Sequence, residues 1–240
     1  MTGLVLTLRD GAPKGRIDCA GLLPQRDLAG ATVVLGNRRL PLGEVFASEG
    51  MPGDRLVLRG TDQRCDGIGE GMDGGTLLVE GDAGFYAGRG MKAGTLHVEG
   101  RAGDFFASAH PGTRRGMSGG VARVDGSVGD RAGEFIRRGI VVIGGDAGAY
   151  TGARGIAGTI VVLGQCGLYA GWATKRASLV LARPPVSMPP GFGDAGVHEI
   201  LYLRLLARRI GLDPALFARV RRFAGDMQAG GKGEILVAAP

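Results

Sequence analysis

The stretch Gly69-Glu70-Gly71-Met72-Asp73-Gly74 spells G-x-G-x-x-G, the spacing that cradles a dinucleotide pyrophosphate where a strand runs into a helix. Here a strand pattern follows instead, so no helix N-terminus would face the phosphates, and in a chain with 47 glycines the match arises by composition. A metal site needs His, Cys or carboxylates converging on one point. His97 falls inside a strand pattern, His110 in an insertion and His198 in a C-terminal helix pattern, and the sequence contains no HxH or HExxH. Cys166 lies between Gly164 and Gly167 and reads as a small stacked residue rather than a nucleophile. Asp82 and Asp146 each follow a glycine and read as turn residues. They do not form the Gly-Gly-x-Gly-x-Asp pattern of calcium-binding repeats. The expectation is a chain with no catalytic residue, no metal and no cofactor of its own.

Cations are more suggestive. Arg89 and Lys92, Arg114 and Arg115, Arg137 and Arg138, Arg154, then Lys175 and Arg176 precede successive strand patterns. If those strands stack, the cations fall along one edge, about 5 Å apart. Such a ribbon suits an acidic chain or an acidic protein face. The competing reading is a solvated corner whose charges pair with neighbouring Asp and Glu.

What must position these residues is a repeat. Anchored on Gly75, Gly94, Gly120, Gly139 and Gly158, the chain steps by 19, 26, 19 and 19 residues, the long step holding a seven-residue insertion at 108–114. A short apolar strand follows each anchor, at 76–80, 95–99, 121–125, 140–144 and 159–163. Glycine recurs six residues on (Gly81, Gly100, Gly126, Gly145, Gly164) and nine residues on (Gly84, Gly103, Gly129, Gly148, Gly167). Eleven residues on come Tyr86, Phe105, Tyr150 and Tyr169, with Arg131 the exception. Weaker copies enclose strands at 55–59, 31–35 and 178–182. One such unit cannot bury its apolar face alone, so copies must stack, their strands pairing in parallel. The expected fold is an all-β, single-stranded right-handed parallel β-helix (solenoid) of about 19-residue coils over 28–183. Its glycines sit at the bends and its aromatic rings stack inside.

Residues 1–27 read as an N-terminal strand or cap with a strand at 4–8. Residues 184–240 read as a linker (184–194), two helices and a closing strand at 234–238. The first helix, 195–209, is stopped by Gly211, and the second is opened by Asp213-Pro214 and stopped by Gly225. The first helix has more apolar surface than a cap needs, which leaves open a role in docking a partner. The net charge of +6 rests almost wholly on Arg, and implies an anionic partner. The expected localisation is cytoplasmic, from three scattered cysteines, Cys19, Cys65 and Cys166, and from the lack of a signal-peptide pattern.

The stretch 71–91, GMDGGTLLVEGDAGFYAGRGM, resembles the repeat shared by the C-type subunit of formylmethanofuran dehydrogenase and the C-terminal domain of the glutamate synthase large subunit. The resemblance covers about 50–176, and the chain's length and its two end segments are more similar to the former. Its Arg- and Ala-rich composition suits the bacterial branch, the formyltransferase/hydrolase complex. The resemblance implies a right-handed parallel β-helix bound to amidohydrolase-like and formyltransferase-type subunits, with metals in a partner and a methanofuran-type carrier bearing a glutamate-rich tail. It carries over no catalytic residue. It also leaves an alternative, a coupling domain in a glutamate-synthase-like amidotransferase.

Overall fold

The computed structural model describes residues 3–240, so the first two residues of the expected 1–27 segment lie outside the described residues. In chain order the elements are β1 (Leu4–Leu8), β2 (Ile17–Asp18), β3 (Thr32–Leu35), β4 (Arg38–Pro41), α1 (Leu42–Val45), β5 (Phe46–Glu49), β6 (Arg55–Arg59), β7 (Cys65–Asp66) and β8 (Asp73–Glu80). Then come β9 (Ala93–Val98), β10 (Ser118–Val124), β11 (Arg138–Ile143), β12 (Thr159–Val162), β13 (Ser178–Leu181), β14 (Gly193–His198), α2 (Leu201–Arg209), β15 (Val220–Gly225) and β16 (Gly233–Ala238).

These elements overturn the expected right-handed parallel β-helix solenoid. The body is one 12-stranded mixed sheet, ordered β14-β15-β16-β13-β12-β11-β10-β9-β8-β6-β1-β5, with a separate 4-stranded sheet β4-β3-β2-β7. The middle is parallel: Thr76 pairs with Thr95, Thr95 with Val121, Val121 with Ile140, Ile140 with Thr159 and Thr159 with Ser178. Both ends are antiparallel, β1 with β5 on one side and β14-β15-β16 on the other. Opposite the sheet, the chain makes only single-residue bridges, Ala83–Ala102–Val128–Ala147–Cys166. The residues that follow them alternate into left-handed backbone, as at Tyr86 (φ 66°) and Gly88 (φ 68°), and cannot extend into a second sheet.

The outer segments depart from expectation for local reasons. The 31–35 strand joins the small sheet as β3, antiparallel to β2 and β4, instead of the main ladder. Of the two C-terminal helices only α2 forms, and it begins at Leu201. Residues 193–198, with Gly193 and Gly196, are poor helix formers and pair as β14 with β15. The Asp213 carboxylate accepts from the Ala215 N–H (2.8 Å) in a local turn. Val220–Gly225 then becomes β15, held between β14 and β16, because tertiary pairing outweighs local helix propensity. Gly211 does end α2 in left-handed backbone (φ 74°).

Burial follows the side-chain pattern. In β8 and β9 alternate residues such as Leu77, Val79, Leu96 and Val98 are buried, while the other face is partly open. In β11, β12 and β13 the apolar run is unbroken and both faces are covered, as a continuous Val/Ile/Leu run demands. The cover on the second face is α2, whose Leu203 and Leu206, with Ile210 just past its end, join Ile140, Val142, Val161 and Val180 in a cluster separate from the main core. Among the described residues no helix is long and apolar enough to cross a membrane, which leaves strand-built spans unaddressed.

Candidate functional site

The repeat glycines are small because neighbouring strands leave no room. A Cβ on Gly100 would lie 2.6 Å from the Gly81 carbonyl oxygen, and one on Gly126 would lie 2.5 Å from that of Gly100. Between these bends, the carboxylates of Asp82 and Asp146 accept the N–H of Arg101 and of Gln165, both at 2.7 Å. They therefore bridge one unit to the next rather than closing their own turns. Asp66, Asp104 and Asp130 do the same for Phe85, Asp130 and Ala149.

The rings form a column, but on the outside. Tyr86 stacks on Phe105 (centroids 5.1 Å apart) and Tyr150 on Tyr169 (4.9 Å), with Tyr169 47% exposed. The next residue along, Ala87, Phe106, Ala132, Thr151 or Ala170, is the one that points inward and is fully buried. Arg131, the exception in the aromatic series, fills the gap with its guanidinium 6.0 Å from the Phe105 ring and 5.0 Å from Tyr150. A cation over a ring face substitutes for a stacked ring.

The predicted ribbon splits into two groups. Arg154 is tied down, its Nη1 2.6 Å from Glu134 Oε1 and its guanidinium 4.7 Å from the Trp172 ring. Arg89 is likewise held by Glu70 (2.6 Å) over Tyr86, and Arg131 shares Glu134 (3.1 Å). Sequence reasoning missed these carboxylates. Glu70 precedes Arg89 by one repeat length, a signal that would have found it. Lys92, Arg114, Arg115, Arg137, Arg138, Lys175 and Arg176 are exposed, and none forms an ion pair among the described residues. Arg114 is the last residue of the insertion and Arg115 follows it. Repeat spacing puts Lys92, Ser118, Arg137, Ile156 and Lys175 at one position of the unit and Arg138, Ala157 and Arg176 at the next, with a register shift at the start of β10 that pairs Ser118 with Arg138. The free cations thus sit on alternate strands, about 10 Å apart rather than the 5 Å expected.

Arg138 and Arg176 line an open groove of about 760 Å³ floored by Gly94, Gly120, Gly139 and Gly158. Its far wall is α2, which supplies Tyr202 and Arg209. Two contacts fix that helix. Arg123 Nη1 donates to the Ile210 carbonyl at the helix end (3.0 Å), and the Tyr202 hydroxyl lies 3.2 Å from Thr159 Oγ1. Neither Tyr202 nor Arg209 was legible as a groove residue, since nothing in sequence says which sheet face α2 covers.

The other candidates stay apart. His97 Nε2 pairs with Asp125 Oδ2 (2.8 Å), His110 Nδ1 faces Glu70 Oε1 (3.2 Å) and His198 Nε2 meets the Ala195 carbonyl (2.8 Å). Among the described residues no group of three or more His, Cys, Asp or Glu could hold a metal ion. The Gly69–Gly74 motif leads into β8, with no helix at its end. Burial pushes the Cys166 thiol up to about 12, so at neutral pH it is a protonated filler of the bridge column. The Cys19 thiol is pushed up by its hydrogen bond to Cys65 and by burial. All three thiols are buried and are expected to stay silent to a thiol-reactive chromogen in the native protein, reacting only on denaturation. Fast native labelling of Cys166 would contradict this.

Fold and site together define a glycine-laddered, β-dominated protein whose open features are a stacked ring–arginine column and a cationic groove. No family model and no curated protein matches the chain. Among solved structures it is similar to a chain of the formyltransferase/hydrolase complex from Methylorubrum extorquens, crystallised with methylofuran. Identity is 32%, the alignment covers 98% of this chain and 100% of that one, and the TM-score is 0.84. The chain belongs to the family of that component of formyltransferase/hydrolase complexes.

Proposed function

We propose that the chain is a structural, non-catalytic subunit of a formyltransferase/hydrolase complex in one-carbon metabolism, in the position of the C-type subunit. In this reading it works in the cytoplasm as part of a hetero-oligomer. It holds amidohydrolase-like and formyltransferase-type subunits together, while metals reside in a partner and the carbon rides on a methanofuran-type carrier. The observation that carries the reading is the likeness over essentially the whole of both chains to a chain of such a complex.

Two features of the molecule support it. Two enclosed carboxylates capable of acid–base work are held in pairing: Glu134 is shared by two arginines and Glu70 is flanked by Arg89 and His110. The exposed Lys92, Arg114, Arg115, Arg137, Arg138, Lys175 and Arg176 suit either an acidic partner face or the glutamate-rich tail of the carrier.

The test is native purification of the tagged chain from its own cells, with mass spectrometry of what co-elutes. A metal-dependent hydrolase and a formyltransferase are expected in fixed ratio. A monomer or a homo-oligomer alone would overturn the proposal. Co-elution with a glutaminase and a flavin protein would favour the amidotransferase reading instead.

A further inference from the structure

We infer that the cavity beneath the 108–114 insertion is a binding site for a neutral aromatic ring bearing one hydrogen-bond donor, a phenol being the simplest. The inference goes beyond the proposed function and does not rest on it. The cavity, of about 240 Å³, lies between the loop and the outer column, where Tyr86, Phe105, Glu134 and Phe135 line it. The loop is a built wall. The Thr113 N–H and hydroxyl both donate to the His110 carbonyl (3.0 and 2.9 Å). They close a turn with Pro111 and Gly112 at its centre, Gly112 at φ 75°, the places such a turn reserves for Pro and Gly. His110 is seated against Gly90, where a Cβ would lie 2.5 Å from its Nε2, and its Nδ1 faces Glu70 (3.2 Å).

The lining selects the ligand. Glu134, its side chain 8% exposed, receives Arg131 (3.1 Å) and Arg154 (2.6 Å) on the same oxygen, Oε1. Its Oε2 accepts no hydrogen bond among the described residues, so an incoming donor meets a half-used carboxylate in an enclosed place, where such a bond is strong. An anion would meet the charge of Glu134, and a cation the two guanidiniums already on it. The rings disfavour a cation on a second ground. Tyr86 has Phe105 of the following unit on one face (5.1 Å) and, on the other, Arg89, which pairs with Glu70 of the preceding unit (4.3 Å to the ring). Phe105 lies between Tyr86 and Arg131. The faces that attract cations are taken, and the rims that remain carry the positive edge of the ring, which attracts the face of another ring. Size agrees. An apolar cavity of about 150 Å³ holds benzene, and the larger one here takes a ring with a polar tip.

The experiment titrates the full chain with p-cresol, followed by NMR. Toluene, 4-methylbenzylammonium and 4-methylbenzoate serve as comparisons of the same shape without the donor, with a positive charge and with a negative one. p-Cresol is expected to bind with a Kd of about 0.1–1 mM, and each of the other three at least about tenfold more weakly. Ala109→Leu fills the cavity from the loop side and should abolish binding. Glu134→Gln should weaken p-cresol by roughly fivefold or more and leave toluene unchanged. Thermal unfolding of both variants checks that each is folded.

Equal binding of toluene and p-cresol, tighter binding of the ammonium, or unchanged p-cresol affinity in folded Ala109→Leu overturns the inference. If a variant fails to fold, the four-ligand series on the wild type still decides, with Overhauser contacts from p-cresol to Phe105 and Phe135 expected and contacts confined to other residues overturning the site. The phenol has two sources, a small aryl compound or a tyrosine of a partner protein, and the purified complex separates them. A cavity that still takes p-cresol in the complex identifies the first. A cavity closed to p-cresol there, with Ala109→Leu shedding a subunit, identifies the second. A chain that recruits no partner yet binds p-cresol as expected would sink the subunit reading and leave the cavity standing.

Discussion

Gly120→Ala is expected to lower the melting temperature by about 6–12 °C, while Gly43→Ala leaves it unchanged or slightly raised. Gly120 sits at φ 82°, where an L-side chain costs roughly 1–2 kcal/mol. Space makes matters worse: the new Cβ would lie 2.6 Å from the Gly94 carbonyl oxygen, 2.8 Å from Met91 Cε and 3.0 Å from the Ala93 carbonyl carbon. The Met91 tip can swing aside, but the backbone of the preceding strand cannot. To relieve that contact the strands must part, and the Gly120 carbonyl itself stands 2.8 Å from where a Cβ on Gly139 would be. Displacement therefore passes from strand to strand, and a total near ~3 kcal/mol is the expected scale. Gly43 lies in α1 with nothing within 4 Å of an added Cβ, so alanine there only restricts the unfolded chain. Equal melting temperatures for the two variants would mean that the glycine column is dispensable.

That contrast shows what kind of information the sequence carries. Strands at 76–80, 95–99 and 121–125 were readable because a short apolar stretch follows each anchor glycine, with a polar residue between two buried apolar ones in Leu96-His97-Val98 and Ala122-Arg123-Val124. Their parallel partners were readable from spacing alone. What the repeat could not announce was how the ladder ends. Val220 and Phe223 look as helical as they look extended until β16 is alongside to pair with them. Nor does a period of 19 tell which way a ring points. Tyr86, Phe105, Tyr150 and Tyr169 share a column, yet their left-handed backbone turns them outward and sends Ala87 and Phe106 into the core. The cations show the same limit. Arg89 and Arg154 look like Arg138 and Arg176 in sequence. Only the fold brings Glu70 and Glu134 to the first pair and leaves the second pair open to the groove. Arg209 depends on the docking of α2, a contact between apolar surfaces that has no sequence signature of its own.

Leu203→Asp is expected to release α2 from the sheet while the ladder beneath stays folded. Leu203 is fully buried, in the cluster with Ile140, Val142, Val161 and Val180 that is distinct from the main core. That cluster is built of apolar residues and offers a carboxylate no cation, and burying the charge unpaired costs several kcal/mol, on the order of 3–5. Detaching the helix avoids that cost by exposing the cluster instead, and local opening is the cheaper route when one element can leave alone. Trypsin should then cut rapidly at Arg204, Arg208 and Arg209, a dye that reports exposed apolar surface should bind, and the main thermal transition should move little. Leu201→Asp is the control, since Leu201 is 68% exposed and its replacement should change none of these. With α2 gone, Arg209 and Tyr202 no longer face Arg138 and Arg176, so the groove loses its far wall although neither Arg138 nor Arg176 has been touched. Loss of all structure in a single transition would instead mean that the two clusters fold as one unit, and that the helix is part of what keeps the ladder standing.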